Sequence, residues 1–435
     1  MKFGEMNGFE ITPLILTNPD KDYIYTCTLD NASVIDSDFI FIPITSQLNE
    51  PVADLLESAM RNPHCKGFVI NNSALAQDKF KTLFHLLMNK YYLKAEAVFL
   101  VKNIYNFACY LAVLNLQKYG TKVITIAGSH ETSLLRDALT KQFQENHTNI
   151  LANMNYWSCW QKIIENLLLL NENIEYAIIE AIPEKKGLMG LAAKYSNTRI
   201  IFSNSELFKT SIYPDLLDLR DELGTILQHP ENIISIISSN DNEMVDSLIN
   251  YKLQNKLHVT DAYTSDIGFK SLERINNITE KFMKIEGLVY TSKVSLNRKY
   301  LYNIYEKNGV NYFVVNSMIN PTIDTIKSCM NSFFEKYKSN KKVVIFDFIE
   351  DLGLYKYNVY YELFEHLAKL KPEILFLLNI EKYSHLYKRY EKDTYIKTTE
   401  FISKDLVSVN RFRNTLSRYI DNNTAVFVYS KQEVV

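Results

Sequence analysis

The chain has 435 residues, enough for two or three domains, and its 47% hydrophobic and 23% charged residues are ordinary for a globular protein. A formal net charge of −2 excludes the broad basic face that non-specific nucleic-acid binding requires. Five scattered cysteines with no Cys-x-x-Cys pair exclude a disulfide framework and fit free thiols in a reducing compartment.

The first residues carry no apolar signal core, and the longest apolar runs, such as 107–116, are too short to span a bilayer. A cytoplasmic protein without a membrane span is expected, and a monomer. Residues 1–118 read as a small α/β unit. Short apolar strands fall at 39–44 and 66–70, with helical spacing at 52–60 between them. A strand at 97–101 leads into an apolar helix at 105–119, and Tyr119-Gly120 reads as a helix stop and domain junction.

Residues 119–298 alternate strands at 123–126, 176–179, 199–202 and 233–237 with helices at 134–144, 157–169, 187–195 and 216–227. Such alternation predicts a parallel sheet covered on both faces, with ligands at the carboxyl ends of its strands. That edge holds Gly128, Glu180, Asn204 and Asp241. Residues 299–435 repeat the style, with strands at 312–315, 342–346, 373–378 and 425–429 and helices at 322–338 and 359–370. They form a further α/β domain.

The most informative stretch runs from Val123 to Leu139. A buried strand (Val123, Ile124, Ile126) meets a turn at Gly128-Ser129, and a helix opens near Thr132. Turn N–H groups and the helix dipole together make an anion site, the frame of a phosphate-binding loop. A working ATP loop also needs a Lys on the terminal phosphates and a Ser or Thr on Mg²⁺. No Lys lies between Gly128 and Arg136.

In this order of features the chain resembles the Mur ligases, most closely the branch that adds D-alanyl-D-alanine in peptidoglycan synthesis. The resemblance implies a three-domain α/β fold: an N-terminal UDP-sugar domain, a central parallel-sheet domain of P-loop type and a C-terminal Rossmann-like domain. It also implies ATP and Mg²⁺ as cofactors. Such ligases activate a carboxylate as an acyl phosphate, which an amine attacks to form an amide. Ser37-Asp-Phe-Ile-Phe-Ile-Pro-Ile44 is similar to the family's Gly-Asp-Leu-Phe-Val-Ala segment. Ala127-Gly-Ser-His-Glu-Thr-Ser133 falls on Thr-Gly-Ser-Asn-Gly-Lys-Thr. Thr132 thus stands at the phosphate-binding Lys, Glu131 at a Gly, and Ser133 at a metal-binding hydroxyl. A carboxylate at Glu131 repels a triphosphate.

Asn153-Met-Asn155 resembles Gly-Asn-x-Asn, and Ile178-Ile-Glu180 resembles Val-Ile-Glu, which makes Glu180 the implied Mg²⁺ ligand beside Ser133. Phe202-Ser-Asn204 is similar to Ile-Thr-Asn, and Lys209 falls near a family His that binds a second metal. Arg220 stands nearest a Lys that the family carbamylates to hold Mg²⁺. Arginine stays protonated and cannot take that role. Arg298 fits the Gly-Arg that opens the last domain, and Asn320-Pro321 matches the end of an Asn-Ala-Asn-Pro signature. Val344-Ile-Phe-Asp347…Glu350-Asp-Leu-Gly353 matches Val-Leu-Gly-Asp-Met-x-Glu-Leu-Gly. The resemblance therefore implies Glu180, Arg220 and Lys209 at catalytic positions. Gly128, Ser129, Thr132, Ser133, Asn153, Asn204 and Arg298 fall on the nucleotide, and Asn320, Asp347 and Glu350 on the substrate.

Each signal also has a plainer reading. Gly128-Ser129 alone is a turn, Glu180 a solvated carboxylate, and Asn320-Pro321 a helix cap. Strand cores and glycine turns match the family, whereas most phosphate- and metal-binding charges are replaced. The expectation is a Mur-ligase relative with impaired or lost ligation. It would serve as a binding protein for a UDP-linked muramyl peptide or a protein partner, possessing either no nucleotide or ATP with Mg²⁺. The alternatives are an active ATP-dependent ligase, with Arg136 or Lys209 supplying the missing charge, and an unrelated doubly wound protein built on one continuous sheet.

Overall fold

The computed structural model describes residues 1–44, 52–72, 82, 85, 89–91, 94–128, 132–152, 160–183, 186–203, 213, 215–228, 234–239, 246, 256–259, 270–291, 302–315, 323–347, 349, 356–379, 397–401 and 406–430. Among them, strands β1 (Ile11–Leu16), β2 (Ile24–Thr26), β3 (Phe39–Phe41), β4 (Cys65–Asn71) and β5 (Ala97–Val101) form a sheet in the order β1-β5-β4-β3-β2. Strands β2 to β5 pair in parallel, and β1 joins β5 antiparallel. Helices α1 (Leu29–Val34), α2 (Val52–Met60) and α3 (Ile104–Tyr119) accompany it. The core gathers Phe39, Phe41, Leu56, Met60, Phe68 and Ile70. Apolar runs without alternation, such as Phe68-Val-Ile70, are explained by burial of both faces of the sheet.

The second sheet takes β6 (Lys122–Ala127), β7 (Ile150–Ala152), β8 (Tyr176–Ala181), β9 (Thr198–Ser203), β10 (Ile234–Ser239) and β11 (Lys256–Val259) in the order β11-β10-β9-β6-β8-β7. Its helices are α4 (Thr132–Glu145), α5 (Trp160–Leu168), α6 (Leu188–Tyr195), α7 (Leu216–Thr225) and α8 (Lys270–Ile285).

The third sheet takes β12 (Tyr302–Lys307), β13 (Val310–Val315), β14 (Lys341–Asp347), β15 (Ile374–Leu378), β16 (Lys397–Phe401) and β17 (Thr424–Tyr429). Its order is β12-β13-β17-β14-β15-β16, parallel except for the β12–β13 hairpin. Helices α9 (Ile323–Lys336) and α10 (Lys356–Leu370) cover one face, where Met330, Phe333, Tyr360 and Phe364 meet Phe313 and Phe427. Helix α11 (Leu406–Leu416) covers the other through Phe412 and Leu416. Three separate sheets set aside the single-sheet alternative. Among the described residues no helix is long and apolar enough to cross a membrane.

Packing gathers the chain into two compact units. In the unit of Met1–Thr125, His147–Ala181 and Lys194–Thr198, α3 ends on Gly120. That residue takes the left-handed conformation (φ 65°) and donates its N–H to Leu116, which is the helix stop expected from the sequence. Helix α3 is fastened to α5 by Asn115, which donates to the carbonyls of Leu167 and Leu168 at 3.1 and 2.9 Å. Tyr105 meets Trp160 edge-on at 5.0 Å.

In the unit of Ile126–Asn146, Ile182–Ala193 and Arg199–Val435, α4 and α8 lie side by side, with Phe143 against Phe282 at 5.9 Å. The segment after α8 is tied to the end of α4. Asn146 exchanges two hydrogen bonds with Val289, and the buried Gln142 accepts from the N–H and hydroxyl of Thr291 at 3.0 Å each.

Candidate functional site

A glycine follows β6 in close contact with β9. A Cβ on Gly128 would lie 1.7 Å from the carbonyl oxygen of Phe202 at the end of β9, and 2.8 Å from Thr132 Cγ2. Backbone meets backbone there, so no other residue fits without moving a strand. Four residues on, α4 begins at Thr132, and Thr132 and Ser133 are both buried in its first turn. A strand end, a glycine in contact with the neighbouring strand and a helix start fit a phosphate group. The cationic side chain nearest in sequence is otherwise committed. Arg136 is 1% exposed and donates from Nε and Nη2 to Asp137 at 2.9 and 2.7 Å. Burial raises the Asp137 carboxyl, against the opposing pull of Arg136.

Glu180 is the penultimate residue of β8 and is 2% exposed. A buried carboxylate at a strand end fits one ligand of a divalent cation. Among the described residues no three His, Cys, Asp or Glu side chains gather around one point. Arg220 lies buried in α7. Two residues further on that helix, Glu222 accepts from the N–H of Gly187 at 2.9 Å and of Met189 at 3.0 Å. It thereby caps the start of α6 with a carboxylate. The residues around Glu222 carry no local signal of this role. Its capping role depends on a fold that brings two helices together.

Asp347 closes β14 and is 4% exposed. Its Oδ1 accepts from Asn379 Nδ2 and its Oδ2 from Ser430 Oγ, both at 3.0 Å. Asn379 follows β15 and Ser430 follows β17, the two parallel neighbours of β14. Three strand ends therefore converge on one carboxylate at the edge where such sheets bind ligands. Just beyond, Tyr360 of α10 accepts from the N–H of Ile349 at 2.9 Å and fixes the departing chain. Asn379 and Ser430 were not singled out in the sequence, although each is the first residue after an apolar run.

One further buried carboxylate carries no signal in the sequence. Glu165 of α5 is 1% exposed. It accepts from the hydroxyl of Thr26, the N–H of Cys27 and the hydroxyl of Thr28 at 3.2 Å. The turn between β2 and α1 is thus filled by the chain's own anion. The candidates Ser129, Asn153, Asn204, Lys209, Arg298, Asn320 and Glu350 lie outside the described residues, as do Glu131 and Asp241.

No protein-family model matches the chain, and no curated protein matches it by sequence. Solved structures do match in fold. MurF from Acinetobacter baumannii is 11% identical over 93% of this chain and 89% of its own, with a TM-score of 0.63. MurF ligase from Thermotoga maritima, solved in complex with ADP, is 13% identical over 95% of each chain, with a TM-score of 0.64. A pseudomurein peptide ligase type C from Methanothermus fervidus is 13% identical over 92% of this chain and 93% of its own, with a TM-score of 0.51. At such identities the likeness is one of fold. The chain has the three-domain α/β fold of the Mur ligases.

Proposed function

We propose that this chain is a Mur-ligase-fold protein of the peptidoglycan pathway that binds a nucleotide at the turn after β6 but has impaired or lost ATP-dependent amide ligation. It acts as a binding or partner protein in the cytoplasm, as a monomer. One observation carries the reading. Gly128 lies against the Phe202 carbonyl and α4 begins at Thr132, while no Lys lies between Gly128 and Arg136 and Arg136 is held by Asp137. The ADP in the Thermotoga maritima structure supports a nucleotide as the ligand.

In this reading Gly128, Ser129, Thr132, Ser133, Asn153, Asn204 and Arg298 serve the nucleotide, and Ser133 and Glu180 serve Mg²⁺. Asn320, Asp347 and Glu350 face a UDP-linked muramyl peptide or the partner. The domains run 1–118, 119–298 and 299–435. Bound ATP would supply phosphoryl transfer to a carboxylate, and the chain's own part is to hold its phosphates. A second reading, an active ligase, is favoured by the retained buried Glu180. In that reading Glu180, Arg220 and Lys209 take the catalytic positions.

Titration calorimetry with Mg-ATP, paired with phosphate release in the presence of UDP-muramyl tripeptide and D-alanyl-D-alanine, separates the two. Binding without release supports the first. Release that disappears in Glu180→Ala supports the second.

A further inference from the structure

Strand β12 is the edge of the third sheet. Among the described residues no strand pairs with its outer side, and five of its six residues are exposed. A free edge of this length presents backbone N–H and C=O groups along about 20 Å. Alternation puts Tyr302, Ile304 and Glu306 on one face of the strand, opposite Val315, Phe313 and Asn311 of β13. On that face the Tyr302 ring stacks on Phe313 at 3.9 Å, and Phe313 meets Phe333 of α9 edge-on at 5.8 Å.

Helix α9 supplies the other wall. Ser332, Glu335 and Lys336 have the i, i+3, i+4 spacing of one helix face. Between them and Tyr302, Ile304 and Phe313 lies a groove of about 640 Å³. It is bounded by a strand edge, a polar helix face and an aromatic floor. Its uncommitted charge is negative. Glu335 in the groove and Glu306 on the same strand face have no ion-pair partner among the described residues. Lys336 is set over the Tyr337 ring, 5.5 Å from its centre. Lys307 falls on the opposite face of β12 by alternation.

We propose that the groove between β12 and α9 docks an extended segment of a partner protein by strand addition to β12. A bulky apolar side chain of that segment sits against Tyr302, Ile304 and Phe313, and a Lys or Arg meets Glu335 and Glu306. The occupant is a peptide because a row of strand-edge groups is matched by another extended backbone, and a cavity beside the edge takes alternate side chains. The unpaired carboxylates select a basic residue by charge complementarity. Side chains on one face of a strand are two positions apart, so the recognised pattern is an apolar and a basic residue at i and i+2. None of these residues belongs to the second sheet, so the surface does not depend on a nucleotide at β6.

The test is selection of a random heptapeptide library, displayed on phage, against the full chain. The winning sequence is then synthesised and titrated by calorimetry into wild type, E335K and I304D. Thermal unfolding of each variant checks that the fold is retained. The same peptide is also made in two forms, N-methylated at odd or at even positions. The expected winners carry an apolar and a basic residue two positions apart. E335K and I304D each weaken binding by about tenfold or more, since attraction becomes repulsion at one and the apolar wall is lost at the other. One N-methylated form loses binding and the other keeps it, because strand pairing uses alternate residues. Peptides that bind both variants as tightly as wild type, or that tolerate both methylation patterns, overturn the proposal. A library that yields no binder overturns it as well.

Discussion

The ends of β6 and β14 are two solutions to one problem, a functional group placed at the carboxyl edge of a sheet. At β6 the backbone does the placing. Gly128 lies against the Phe202 carbonyl, and α4 opens at Thr132. At β14 a side chain is placed, and it takes Asn379 and Ser430 from two other strand ends to fix Asp347. A backbone device is written in a few consecutive residues and survives loss of its charges. A side-chain device is spread over the chain and fails when any one member changes.

The contrast predicts a graded series. The largest effect belongs to Gly128→Val. The new atoms meet backbone rather than a movable side chain, so we expect a loss of about 4 kcal/mol or more in urea unfolding, together with loss of nucleotide binding. A variant of wild-type stability would show that the close approach to Phe202 is not there.

Next comes Asp347→Ala. It removes the carboxylate that accepts from the Asn379 amide and the Ser430 hydroxyl and should cost about 2–3 kcal/mol. Mg-ADP affinity at β6 should be unchanged, because the two devices are independent. Weakened ADP binding in that variant would contradict the comparison.

Glu222→Ala removes a carboxylate cap from α6 and should cost about 1–2 kcal/mol by the same unfolding measurement. Glu222→Gln should recover part of it, because an amide oxygen still accepts from Gly187 and Met189.

The smallest effect comes from a charge network in the first sheet. Lys21 bridges Asp38 at 2.7 Å and Glu96 at 2.6 Å. Burial pushes the Asp38 carboxyl up. The hydrogen bond from Lys21 and the charge of Lys66 outweigh that and hold it below the usual range. A carboxyl depressed in the folded state stabilises above its unfolded value, about 3.9, and that contribution is lost as pH falls through the lower folded value. The groups are partly exposed, so the effect is about 1 kcal/mol or less. Unfolding midpoints of wild type and Asp38→Asn should differ at pH 6, and the difference should shrink as pH falls below about 3.9. A constant difference across that range would contradict the assignment.

Much of the fold was legible because both-face burial writes itself as unbroken apolar runs. The strand at 97–101 and the helix stop at Gly120 were read directly. Other elements were hidden by composition. Strand β1 contains Pro13 and exposes Thr12, Pro13 and Leu14, and β12 exposes five of its six residues, so neither alternates or runs apolar. Helix α8 buries Ile275, Ile278 and Phe282 at helical spacing, yet its polar majority masked the stripe. Glu165 was not legible for a different reason. Its partners lie more than a hundred residues away in sequence, and nothing local marks a buried carboxylate.

The central claim is a phosphate frame kept without turnover, and one experiment addresses it most directly. Mg-ATP is titrated into the full chain by calorimetry, and the same samples are followed for phosphate release with UDP-muramyl tripeptide and D-alanyl-D-alanine present. The account predicts saturable binding and no release above the protein-free rate. Release above that rate, abolished by Glu180→Ala, would contradict it and establish a working ligase.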